Sequence, residues 1–129
     1  MKKNVFFLLI SFVLMMSQAK AQSIFERWAE LKDFHGVMSE TFHPSEEGNL
    51  EPIKTRSGEM VQKASNLAKA AIPNDFAKPA IQSAVKRLQK DSKTLHKLIK
   101  SKKASDEQIT KSLAALHDVF HEIVGLCRE

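Results

Sequence analysis

The feature that most restricts the fold is the apolar spacing within residues 109–127, ITKSLAALHDVFHEIVGLC. Ile109, Leu113, Leu116, Phe120, Ile123 and Cys127 follow one another at steps of 4, 3, 4, 3 and 4. A helix turns once every 3.6 residues, so this alternation lines six side chains along one face and leaves the rest polar. Such a helix must bury its stripe against other elements. Three upstream stretches carry the same spacing. They are Ile24, Trp28, Leu31, His35, Met38 and Phe42, with Phe25 and Phe34 widening the stripe; Ile53, Ser57, Met60, Ala64, Leu67 and Ala71; and Ile81, Val85, Leu88, Ser92, Leu95 and Ile99.

The breaks between these stretches are punctuated. Pro44 is expected to end the first helix, because its ring disfavours helical backbone at His43 and it donates no amide. The polar segment SEEGNL then leads to Pro52, suited to a first helical turn. Pro73-Asn74-Asp75 forms the second turn, and a third helix runs from around Asp75–Pro79 to about Lys100. Ser105 with Gln108 three residues on is a capping box, and Asp106 and Glu107 suit the positive end of a helix dipole. With no strand-like alternation and no internal repeat, the chain is expected to be all-α, an antiparallel up-down-up-down four-helix bundle.

The N-terminus reads as an address. Lys2 and Lys3 precede an apolar run from Val5 to Met16, and Ala19-Lys20-Ala21 fits a small-x-small cleavage site. This pattern is a secretory signal peptide, and the run is well short of the roughly 20 residues of a spanning helix. Residues 1–21 are therefore expected to be cleaved, leaving 22–129 as one bundle domain, periplasmic or secreted, with no stable membrane anchor. Three of the 20 basic residues lie in that segment, so the mature chain carries 17 against 15 acids, a net charge of +2. A nucleic-acid partner loses its electrostatic motive. A single cysteine excludes an internal disulfide, so Cys127 is expected as a partly buried free thiol able to link a homodimer on oxidation.

No Gly-rich phosphate loop, GxSxG, HExxH or CxxC is present, so the chain is not expected to be an enzyme. Its chemistry-bearing residues are histidines. His117 and His121 lie one turn apart and face the same way. With short links between antiparallel helices, His35, Met60, Ser92 and His117 are expected at one level of the bundle. Imidazole suits zinc, copper, nickel and iron, and thioether suits copper(I) or haem iron. His35, His117, His121 and Met60 (or Met38) are thus candidate ligands for a transition metal or haem b. The competing expectation is a structural one, with His35 hydrogen-bonded to Ser92 and the helix 4 pair at the bundle edge. His43, Glu46 and Glu47 form a second candidate metal cluster at the end of helix 1, or a solvated loop. Lys86, Lys90, Lys93, Lys97 and Lys100 recur at steps of 4, 3, 4 and 3 opposite the helix 3 stripe. They form a basic face able to dock an acidic protein partner, or a solvated one that keeps the bundle soluble.

An exported bundle of this size whose last helix ends in Val124-Gly125-Leu126-Cys127-Arg128 resembles the cytochrome c-prime superfamily and its small b-type relatives. The resemblance is architectural and implies a periplasmic haem protein in electron transfer or gas binding. The family's CxxCH has no counterpart here for its first cysteine or its histidine, so no haem ligand is carried over from it. A haem in this chain is expected to be non-covalent, held by a helix 4 histidine and a helix 1 side chain. The alternative function is a cofactor-free interaction module that uses the basic face of helix 3.

Overall fold

The computed structural model describes residues 24–129; the expected signal segment, 1–21, lies outside the described residues. A helical turn at 24–27 leads into α1 (Ala29–Glu46), followed by α2 (Glu51–Lys69), a 3-10 turn at Asn74–Phe76, α3 (Pro79–Lys100) and α4 (Asp106–Cys127). The described residues are all-helical, without a strand, and the four long helices pack against one another. None of these helices is long and apolar enough to cross a membrane.

The punctuation in the sequence places most helix ends. Proline opens α2 and α3 within their first two positions. At α4 the capping box forms in full: the Gln108 amide donates to Ser105 Oγ at 3.1 Å, and the Ser105 amide donates to Gln108 Oε1 at 2.9 Å. A cap of this kind contributes about 1 kcal/mol by satisfying amides that have no partner within the helix.

Three boundaries differ from the sequence expectation. Pro44 lies inside the last turn of α1 instead of ending it. Proline has no amide to offer the Glu40 carbonyl four residues back, and the Pro44 carbonyl is itself used twice, accepting from the amides of Glu47 at 3.1 Å and Asn49 at 3.0 Å. Chain reversal is left to Gly48, whose φ of +86° suits a residue without a β-carbon. Trp28, read as a helical seam residue, has φ −134° and ψ 84° and separates the first turn from α1. At the far end, α2 stops at Lys69, so Ala71 falls in the link and is exposed.

One hydrophobic cluster joins all four helices. Leu31, Phe34 and Met38 meet Ile53, Met60 and Leu67, Ile81, Leu88 and Leu95, and Leu113, Leu116 and Ile123. Each such side chain contributes about 1.5–3 kcal/mol on full burial. Trp28 closes one end of the core, stacked on Phe76 at 6.0 Å, with the Arg27 guanidinium 5.0 Å from the Phe76 ring centre. Its indole Nε1 is buried without an acceptor.

Surface ion pairs tie the helices in register. Arg27 pairs with Asp75, Arg56 bridges Glu40 at 2.6 Å and Glu59 at 2.8 Å, Lys54 meets Asp106 at 2.9 Å, and Arg87 meets Glu122 at 2.6 Å. Exposed pairs are worth roughly 0–1 kcal/mol each, so they mark register more than they supply stability. They set the start of α2 beside the start of α4. Lys78, just before α3, reaches the Glu129 carbonyl at 3.1 Å, setting the start of α3 beside the end of α4. Helices α1 and α4 approach one another less closely than the other neighbouring pairs do, and a groove runs between them.

Candidate functional site

The groove is built by two helix faces that place imidazoles opposite one another. From α1 come His35, Met38, Ser39 and His43; from α4 come His117, Phe120 and His121; together they enclose about 180 Å³. His35, Ser39 and His43 are each four residues apart, as are His117 and His121. Both helices therefore present one flank to the same space. Burial along α1 follows Leu31, Phe34, Met38, Thr41 and Ser45, which turns Phe34 into the core and leaves His35 half-buried at its edge. Thr41 is buried without loss because its hydroxyl donates to the Val37 carbonyl at 2.8 Å.

Aromatic stacking fixes the imidazoles. His35 packs in a triangle of near-parallel rings with Phe25, centroids 4.8 Å apart, and Phe120, at 5.3 Å, these two being 6.4 Å from each other. His117 stacks on Phe42 at 3.7 Å and meets His121 edge to face at 4.3 Å. Each such contact contributes about 0.5–1.5 kcal/mol beyond burial alone and limits ring rotation.

The nitrogens of His117 and His121 converge. Their Nε2 atoms are 3.0 Å apart, a hydrogen bond only when one ring carries its proton there and the other does not. Two imidazolium rings in this arrangement repel. Burial lowers the His117 pKa below its ordinary 6.5, and His121 adds to the effect, while Asp118 and Glu46 oppose it. Burial also lowers the His35 pKa, aided by His121 and then His43. Both shifts favour neutral imidazole at His35 and His117, the form that binds metals.

The distance is chemically informative. Two nitrogens bound to one ion at about 2.0–2.1 Å stand ~3 Å apart across a right angle and ~3.3 Å apart across a tetrahedral angle. The 3.0 Å separation therefore suits both a hydrogen bond between the two rings and cis ligation of one ion. Among the described residues no three His, Cys, Asp or Glu side chains are grouped closely enough to hold one ion together as they stand. The arrangement is a two-nitrogen clamp with further imidazoles on the opposite wall.

The other candidates separate from this cluster. Met60 is fully buried in the core and does not line the groove; Met38 does. Ser92 is not paired with His35, because its hydroxyl donates to the Leu88 carbonyl at 2.7 Å. The buried serine–histidine pair lies elsewhere, between Ser57 on α2 and His96 on α3, 2.8 Å apart. His43 leans toward Glu46, Nδ1 to Oε1 3.3 Å, with both side chains largely exposed, and Glu47 is exposed beside them. His43 thus connects the second cluster to the groove, which the sequence reading had treated as separate. Its spacing of eight from His35 carried that signal, as did the phenylalanines at 25, 42 and 120. Lys86, Lys90, Lys93, Lys97 and Lys100 are all exposed, and none forms an ion pair among the described residues. Cys127 is half-buried and free, and burial pushes its thiol pKa up.

Compared with protein-family models, with curated proteins and with solved structures, the chain matches none of them.

Proposed function

We propose that this protein is an exported metal-binding bundle that takes up one divalent transition-metal ion in the groove between α1 and α4. His117 and His121 are the anchoring ligands. His35 or His43 supplies a third nitrogen from the opposite wall by a side-chain rotation, and solvent completes the coordination. The 3.0 Å approach of the two Nε2 atoms carries this reading. The open, incompletely closed ligand set suits an ion that is carried or buffered and then released, and no catalytic step is assigned to it. Export rests on the signal pattern of residues 1–21. The helices are read as an up-down-up-down bundle, an arrangement in keeping with the ion pairs at their ends.

A volume of about 180 Å³ falls below the 300–1,000 Å³ typical of small-molecule and cofactor sites, which favours an ion over the haem implied by the resemblance. The exposed, unpaired lysines of α3 support a second reading, docking of an acidic protein on that face. It is compatible with the first, since the stripe and the groove involve different helices.

The test is metal content by mass spectrometry and a visible spectrum on untagged protein purified from the periplasm, followed by copper(II) titration. One ion per chain, lost in the double variant His117→Ala/His121→Ala, is expected. Unchanged affinity in that variant would refute the assignment, and a Soret band would favour haem.

A further inference from the structure

At the opposite end of α4 a second cavity of about 360 Å³ opens among Lys54 of α2, Ile99 of α3, Lys102 and Ala104 of the connecting link, and Ile109 of α4. Its composition is amphiphilic. Ile109 is buried, Ile99 and Ala104 pack partly buried against the core, and the two lysines are the cavity's charged groups. Lys102 forms no ion pair among the described residues, and its backbone adopts φ +58°, a conformation uncommon for a residue with a β-carbon. Lys54 is already held by Asp106 at 2.9 Å. Lys100 and Lys103 are exposed at the same end, as are the acids Glu51, Asp106 and Glu107, of which Asp106 is paired with Lys54 and Glu107 with Lys111.

We infer that this cavity binds a single-chain amphiphilic anion, a medium-chain carboxylate whose tail lies on Ile99, Ala104 and Ile109 and whose head pairs with Lys102. The apolar wall with cationic groups beside it sets the chemistry: a neutral chain forgoes the lysines, and a cationic one is repelled by them. The volume sets the size. At about 360 Å³, with three apolar side chains in its lining, the hollow suits one short chain and not the two of a membrane lipid. Asp106 competes with the ligand for Lys54, so it acts as a brake on affinity. The site shares no residue with the histidine groove.

The experiment is an amide chemical-shift titration of the mature protein with sodium decanoate below its micelle concentration, beside decanol and decylammonium. Saturable shifts centred on Ile99, Ala104 and Ile109 with decanoate, and weaker ones with the other two probes, are expected. Lys102→Gln, a change at an exposed position, weakens binding by up to about five-fold, the range of one exposed ion pair. Asp106→Asn strengthens binding by releasing Lys54. The double variant His117→Ala/His121→Ala binds decanoate as the wild type does, which separates this site from the metal reading. Equal binding of decylammonium, shifts centred elsewhere, or indifference to both Lys102→Gln and Asp106→Asn would overturn the assignment.

Discussion

Replacing His121 with alanine tests the metal clamp most directly, because the side chain is exposed and its loss leaves the core intact. A ligand that binds the folded chain alone stabilises it by RT ln(1 + [L]/Kd), about 2.7 kcal/mol at a hundred times Kd. A domain of this size gains at least about 4 °C in Tm per kcal/mol, so copper(II) at that excess raises the wild-type Tm by about 11 °C. His121→Ala removes one of two nitrogens held 3.0 Å apart, and the remaining imidazole binds as an isolated ligand. If affinity falls about 100-fold, the same copper concentration only equals the new Kd. The gain then drops to about 0.4 kcal/mol, or under 2 °C. The assay is thermal unfolding by circular dichroism with and without copper(II), with a chelator restoring the metal-free Tm. The metal-free Tm falls by only about 2–6 °C, because the exposed hydrogen bond to His117 adds little and the edge-to-face contact with that ring is worth about 0.5–1.5 kcal/mol. A copper-induced rise in His121→Ala equal to that of the wild type would refute the reasoning and return the pair to a surface role.

Three further outcomes follow from the same geometry. Folding holds His35 and His117 below their ordinary pKa of 6.5, so the unfolded chain binds more protons in that range. Stability of the metal-free protein therefore falls as pH drops through about 6.5 and levels off below the folded-state values; denaturant unfolding between pH 5 and 8 checks the sign, and a flat profile counts against it. Met60→Leu, a volume-conserving change in the core, costs less than about 1.5 kcal/mol and leaves copper affinity unaltered, whereas Met60→Ala costs about 2–5 kcal/mol. Ser105→Ala breaks the capping box and lowers stability by about 0.5–2 kcal/mol, with the first turn of α4 showing the largest rise in amide exchange.

Which parts of this molecule could be read from its sequence follows from the range of the interactions involved. The helices and most of their ends depend on neighbours within four residues, and those neighbours are visible in the chain. The 4, 3, 4, 3, 4 stripe of α4, the Ser105–Gln108 box and the prolines opening α2 and α3 are all of this kind. Pro44 did not stop the helix at once: it forfeits one bond to the carbonyl four residues back, and the helix runs on for only two residues, to Glu46, before Gly48 reverses the chain. Trp28 kept its place in the core but not its helical backbone.

The grouping of side chains across helices was decided by tertiary packing alone. Spacing showed that His117 and His121 share a face, yet the rotation of α1 that buries Phe34 and sets His35 at the groove edge depends on how apolar area is best covered by the other helices. A stripe wider than its contact surface leaves that rotation open, and a shift of one residue turns a flank by about 100°. The same rotation carried His43 into the groove, while the faces that α2 and α3 turn inward kept Met60 in the core and left Ser92 bonded to its own helix. Sequence alone settled an all-helical chain with a basic face on α3 and an imidazole pair on α4. Packing settled what stands opposite that pair, because which flanks of α1 and α4 meet is a property of the whole core rather than of either helix.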